Sequence, residues 1–137
     1  MEETSDMLIG TTIHANAGQT KTYYSPWFPR GGNGSYFSCQ VIAQGQLASF
    51  EITVQTKNSE QADASAHGYA AQAITLTDYQ VTTWFRGDDT NASGVNPGSS
   101  AQGMLELVRF KYVVVGDQDA GFVHFRMMTP AWLRNGA

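Results

Sequence analysis

Ser49-Phe50-Glu51-Ile52-Thr53-Val54-Gln55-Thr56-Lys57 alternates apolar and polar residues without a break. Phe50, Ile52 and Val54 share one side, and Glu51, Thr53, Gln55 and Lys57 share the other. Side chains project to opposite faces with a period of two only in an extended strand. The stretch therefore predicts a strand with one face in a core and one in water.

Neighbouring runs repeat the theme. Tyr36–Ala43 precedes it across Gln44-Gly45-Gln46, and a three-residue loop with a central glycine predicts a hairpin. Met7–His14 predicts a first strand, closed by Asn16-Ala17-Gly18. Lys21–Phe28 predicts a second, at a sheet edge, because Pro26 and Pro29 cannot donate to a ladder. Ala73–Thr77, Tyr79–Phe85, Met104–Val115 and Phe122–Met128 complete about eight short strands, by their alternation and turn punctuation. Asn58–Gln72 is polar and alanine-rich, with at most a turn or two of helix in Gln61–Ala71. Arg86–Gly103 reads as a long loop of Gly, Asp, Asn, Ser and Pro. The fold class is all-β, a β-sandwich or jelly roll, with crossover helices lacking for a parallel sheet. Residues 1–6 form an expected flexible arm and residues 7–137 one sandwich domain.

The 137-residue chain is long enough to bury roughly two-thirds of its unfolded surface. Charged residues make up 15%, against about 25% in ordinary domains, so solubility rests on neutral polar side chains. Net charge is −4, and the eight Lys and Arg are scattered singly. Phosphate neutralisation needs a dense basic patch, so nucleic acid is an unfavoured partner, as is an anionic membrane. Met1–Met7 is acidic, and no apolar run reaches the length of a signal core or a membrane span. The expectation is a protein that either stays in the cell where it is made or leaves it by lysis or inside an assembly. Cys39 is the single cysteine, so no intrachain disulfide forms, and its apolar surroundings predict a buried, inert thiol.

The search for bond chemistry finds no converging set. His14, His67 and His124 are dispersed, with no metal-ligand spacing. Asp117, Asp119 and Gly121 resemble a calcium loop but lack its closing Glu. Glu51 and Glu106 are strand carboxylates with no fixed separation. Arg86-Gly87-Asp88 spells an integrin-type tripeptide, short enough to arise by chance. Asn33-Gly34-Ser35 and Asn91-Ala92-Ser93 match the glycosylation acceptor but are not expected to be presented without a signal peptide. No catalytic residue, cofactor or metal is expected, and the chain is expected not to be an enzyme. Aromatics carry more signal. Tyr23, Tyr24, Trp27 and Phe28 crowd into six residues, and Trp84, Phe85 and Trp132 add to them. They fill a core or meet a partner, and composition alone leaves both open.

Tyr24-Ser25-Pro26-Trp27-Phe28-Pro29-Arg30-Gly31-Gly32, Thr53–Glu60 and Leu105–Tyr112, with Val123–Arg126 and Pro130-Ala131-Trp132, resemble small structural proteins of tailed bacteriophages. The nearest description is an outer capsid decoration, or cement, protein, over most of residues 20–132. The resemblance implies a non-enzymatic virion component, assembled in the host cytoplasm. It would bind the major capsid protein from outside and associate with itself, a trimer being favoured. Under that reading Tyr23, Tyr24, Trp27, Phe28, Arg30, Trp84 and Trp132 are the candidate interface residues. The competing expectations are a carbohydrate-binding β-sandwich with exposed Trp and Tyr, and another virion part from the tail or head closure.

Overall fold

A computed structural model describes residues 10–32, 34–86 and 104–133. Ten strands occur among them: β1 (Thr11–Ala15), β2 (Thr20–Tyr24), β3 (Phe28–Pro29), β4 (Gly34–Gly45), β5 (Leu47–Lys57), β6 (His67–Ala73), β7 (Val81–Arg86), β8 (Leu107–Gly116), β9 (Gly121–Met127) and β10 (Ala131–Leu133). A single 3-10 turn, Asp63–Ser65, links β5 to β6. The expected arm, most of the Arg86–Gly103 loop, and Asn33 and Asn91 lie outside the described residues.

Two antiparallel sheets divide these strands. In the first, β9 and β10 follow one another along one edge of β4, with β7 on its other edge and β1 outside β9. In the second, β2 and β3 follow one another along one edge of β8, with β5 on its other edge and β6 outside β5. The chain changes sheet between β1 and β2, β3 and β4, β4 and β5, β6 and β7, β7 and β8, and β8 and β9. That alternation is a jelly roll.

The opening stretch follows its periodicity through Gln55, but Lys57, expected in water, is buried. Phe50, Ile52 and Val54 are buried in β5, and Glu51 is exposed. In β8, Val108, Phe110, Tyr112 and Val114 are buried, alternating with half-buried Leu107, Arg109, Lys111 and Val113. Rings from the two sheets meet in the core. Phe50 of β5 and Phe125 of β9 have centroids 4.8 Å apart, and Phe37 of β4 meets Phe110 of β8 edge-on at 5.7 Å. Burying each such ring contributes about 2–3 kcal/mol.

Three expectations need correction. The hairpin across Gln44-Gly45-Gln46 does not form. β4 and β5 lie in different sheets, and the chain turns the corner through Gln46 at φ +57°. The alanine-rich segment holds a strand, β6, because Tyr69 and Ala70 are completely buried and their small neighbours pack close to β5. Ala73–Thr77 is a strand only at its first residue, and Tyr79 turns the chain at φ +61°.

The corners at one end of the sandwich are stitched by backbone hydrogen bonds. Gly18 N–H donates to Asp117 O (2.9 Å), Gly116 N–H to Gln19 O (2.8 Å) and Asp117 N–H to Gln46 O (3.3 Å). A Cβ on Gly121 would collide with the carbonyl oxygens of Gly45 and Gln46, so only glycine lets these two corners touch.

Candidate functional site

Pro26 decides the local geometry. It cannot donate, so the β2 ladder stops at Tyr24. Ser25 carries the pairing one step further: its N–H donates to Phe110 O (2.9 Å) and its Oγ accepts from Phe110 N–H (2.8 Å). The released chain then places Trp27 over the outer face of the second sheet. There its indole N–H donates to Asp63 Oδ1 (3.1 Å), in the turn after β5.

Arg109 lies beneath. The register sets it opposite Gln55, and its Nε donates to Gln55 Oε1 at 2.8 Å. Its guanidinium carbon is 4.0 Å from the centroid of Tyr24 and 4.5 Å from that of Trp27. These rings leave the Arg109 side chain only 12% exposed. Contacts of this kind between a desolvated cation and a ring contribute about 1–2 kcal/mol.

Asp63 gathers the donors. Its Oδ1 is 2.9 Å from Lys57 Nζ, and its Oδ2 is 3.7 Å from Arg109 Nη1. Lys57 also donates to Gln61 O (2.8 Å) and sits 5.0 Å from the Trp27 ring centre, which explains a buried lysine at the end of β5. The Lys57 hydrogen bond first, then the charges of Lys57 and Arg109, hold the Asp63 carboxyl below the usual carboxylate range. The Asp63 side chain is nevertheless 60% exposed, so it keeps acceptor capacity toward solvent.

Tyr24, Gln55, Asp63, Ala64, Ala66 and Arg109 line an open cleft of about 470 Å³. That volume lies within the range typical of small-molecule sites. The cleft offers part of an aromatic ring, a carboxylate, an amide and a guanidinium. Among the described residues no three His, Cys, Asp or Glu side chains gather as metal ligands.

The candidates from sequence separate into three groups. Tyr23 and Tyr24 are exposed and Trp27 is half-buried, and Tyr24 and Trp27 meet at Arg109. Phe28 and Trp84 are corrected to core residues: Phe28 packs on Phe110 at 5.6 Å and Trp84 on Phe37 at 5.9 Å, leaving neither a surface to offer. Trp132 is half-buried and edge-on to Phe37, with Gly31 against its indole. Arg30 is exposed and donates to Met104 O (2.6 Å), tying β3 to the approach of β8. Asp63, Arg109, Gln55 and Lys57 were not among those candidates. For Gln55, Lys57 and Arg109, positions on the polar faces of β5 and β8 were the available signal; Asp63, in the turn after β5, had none. Elsewhere, Glu106 accepts from Ser59 N–H (2.7 Å), and within the first sheet His124 Nδ1 shares a hydrogen bond with the hydroxyl of its cross-strand partner Thr12 (2.8 Å).

No family model matches the chain, and no curated protein matches it. A solved structure described as "CBM4 structure and function" superposes with a TM-score of 0.50 at 12% identity, covering 89% of this chain and 81% of that one. The fold is a β-sandwich. A second, "Structure of TmCBM61 in complex with beta-1,4-galactotriose", aligns at 7% identity and a TM-score of 0.38, over 85% of this chain and 69% of that one.

Proposed function

We propose that the protein is a non-catalytic carbohydrate-binding module whose ligand sits in the Tyr24–Arg109–Asp63 cleft. One observation carries this reading: a half-exposed tyrosine ring stands beside Arg109, Gln55 and Asp63 in one open depression. A sugar ring has an apolar C–H face and a rim of hydroxyls that both donate and accept. Tyr24 suits the face. Asp63 accepts from hydroxyls, while Arg109 and the Gln55 amide donate to them. These groups are already fixed by Trp27, Lys57 and one another, so binding orders few side chains. The sandwich shared with a CBM4 structure is compatible with this reading.

A glycan array tests it. Saturable binding that disappears in both Tyr24→Ala and Arg109→Met supports the cleft. A blank array, or binding indifferent to both changes, overturns it.

A second reading, capsid decoration, draws on a different surface. Tyr36 and Val81 share the outer face of the β4–β7 pair, and Tyr79 adjoins them at 72% exposure. Exposed rings of this kind are typical anchors of protein interfaces. Under this reading the partner is a major capsid protein on a virion surface, met by a self-associated trimer. Co-sedimentation with phage shells lacking their decoration protein, reduced by Tyr79→Ser, would support it. Failure to co-sediment would remove it.

A further inference from the structure

A second depression, of about 250 Å³, opens at the sandwich edge where β1 faces β2. Thr11, Ile13, Tyr23, Pro26 and Tyr112 line it, and so does Tyr24. Tyr24 is the one lining residue this pocket shares with the outer cleft. Tyr24 thus borders both depressions.

The pocket differs from the cleft in its chemistry. Ile13 and Tyr112 are buried, while Tyr23 and Tyr24 rise at 43% and 50% exposure. No charged side chain lines it. The polar residues that line it are Thr11, Thr12 and Ser25, of which the Thr12 hydroxyl is already bonded to His124 and the Ser25 hydroxyl to the backbone of Pro26 and Phe110. β1 carries a ladder only toward β9, and β2 only toward β8, among the described residues. Each is therefore an edge strand, with its outer row of backbone N–H and C=O groups outside any ladder. An apolar, ring-lined pocket with a neutral hydrogen-bonding margin matches an uncharged sugar unit.

We propose that the binding surface continues over Tyr24 into this pocket, and that the ligand is a neutral oligosaccharide chain occupying both depressions. The inference rests on the carbohydrate reading of the cleft. A single sugar fills one depression and leaves the other wet. A chain crossing Tyr24 engages both, and its second contact is made at the high effective concentration set by the glycosidic linkage.

Calorimetric titration tests this with β-1,4-linked gluco-, xylo- and galacto-oligosaccharides, each from the monosaccharide to the hexasaccharide. For the series that binds, affinity should climb at least about tenfold with length, the equivalent of about 1.4 kcal/mol. Tyr23→Ala, and independently Thr11→Arg at the exposed rim, should collapse the ratio of long-chain to short-chain affinity. Two different blocks guard against one variant misfolding, and far-UV circular dichroism checks both. If short and long chains bind equally and both variants are silent, the pocket inference falls and the cleft reading stands. If no sugar of any length binds and the array is also blank, the carbohydrate reading falls and takes this inference with it. If the pocket variants abolish self-association without altering sugar affinity, the edge serves a second copy of the chain and the inference is overturned.

Discussion

Arg109 and Tyr24 stand 4.0 Å apart, guanidinium carbon to ring centroid, on adjacent strands of the same sheet. The contact holds an arginine that would otherwise extend into water, and it gives the cleft a fixed donor. Because Gln55 and Trp27 also touch Arg109, its removal should be felt by several groups at once. In a double-mutant cycle, Arg109→Met and Tyr24→Leu should show a coupling of about 1 kcal/mol by urea denaturation. Additive effects would mean that the two side chains do not interact in solution.

Acid should loosen the loop that closes the cleft. The folded carboxyl of Asp63 titrates below its unfolded counterpart. Its contribution is therefore present above the unfolded value, about 3.9, and is lost as pH falls through the lower folded one. The Trp27 indole N–H resonance should move over that acidic window in the native protein. In Asp63→Asn it should keep one position throughout. A shift of equal size in the variant would show that another group is responsible.

Cys39 should resist thiol reagents. Its side chain is completely buried, and burial pushes the thiol up to about 12. At pH 8 a disulfide-exchange reagent should label no thiol in the native protein and one per chain in denaturant. Fast native labelling would mean that the core opens between β4 and β7.

Core truncation should be expensive. Phe125 is 1% exposed and meets both Phe50 at 4.8 Å and Tyr112 at 4.9 Å. Phe125→Ala should cost about 3–5 kcal/mol in equilibrium unfolding. A loss below about 1 kcal/mol would imply a core that repacks freely.

The two sheets were legible because alternation is a local property. Phe50, Ile52 and Val54 declare their shared face within five residues, and Val108 through Val114 do the same. Partner choice is not local. Gln44-Gly45-Gln46 has the composition of a hairpin turn, yet the same residues carry the chain between layers, and only the far-off β8–β9 corner shows why. β6 was hidden because buried alanines look helical when read alone. The site was half legible. Pro26 and the aromatic crowd marked Tyr24 and Trp27. Asp63 carried no mark, since its role depends on Trp27, Lys57 and Arg109 arriving from three other places in the chain.

The pairing of β1 sets a condition on synthesis. Thr11 lies opposite Phe125 and Ala15 opposite Gly121, so the first described strand has no ladder until the ninth exists. During translation Ile13 and its neighbours must wait, unpaired, for more than three-quarters of the chain to leave the ribosome. Such a topology favours late, all-at-once assembly over stepwise growth from the N-terminus. A nascent chain arrested before Gly121 should accordingly stay protease-sensitive along its whole length.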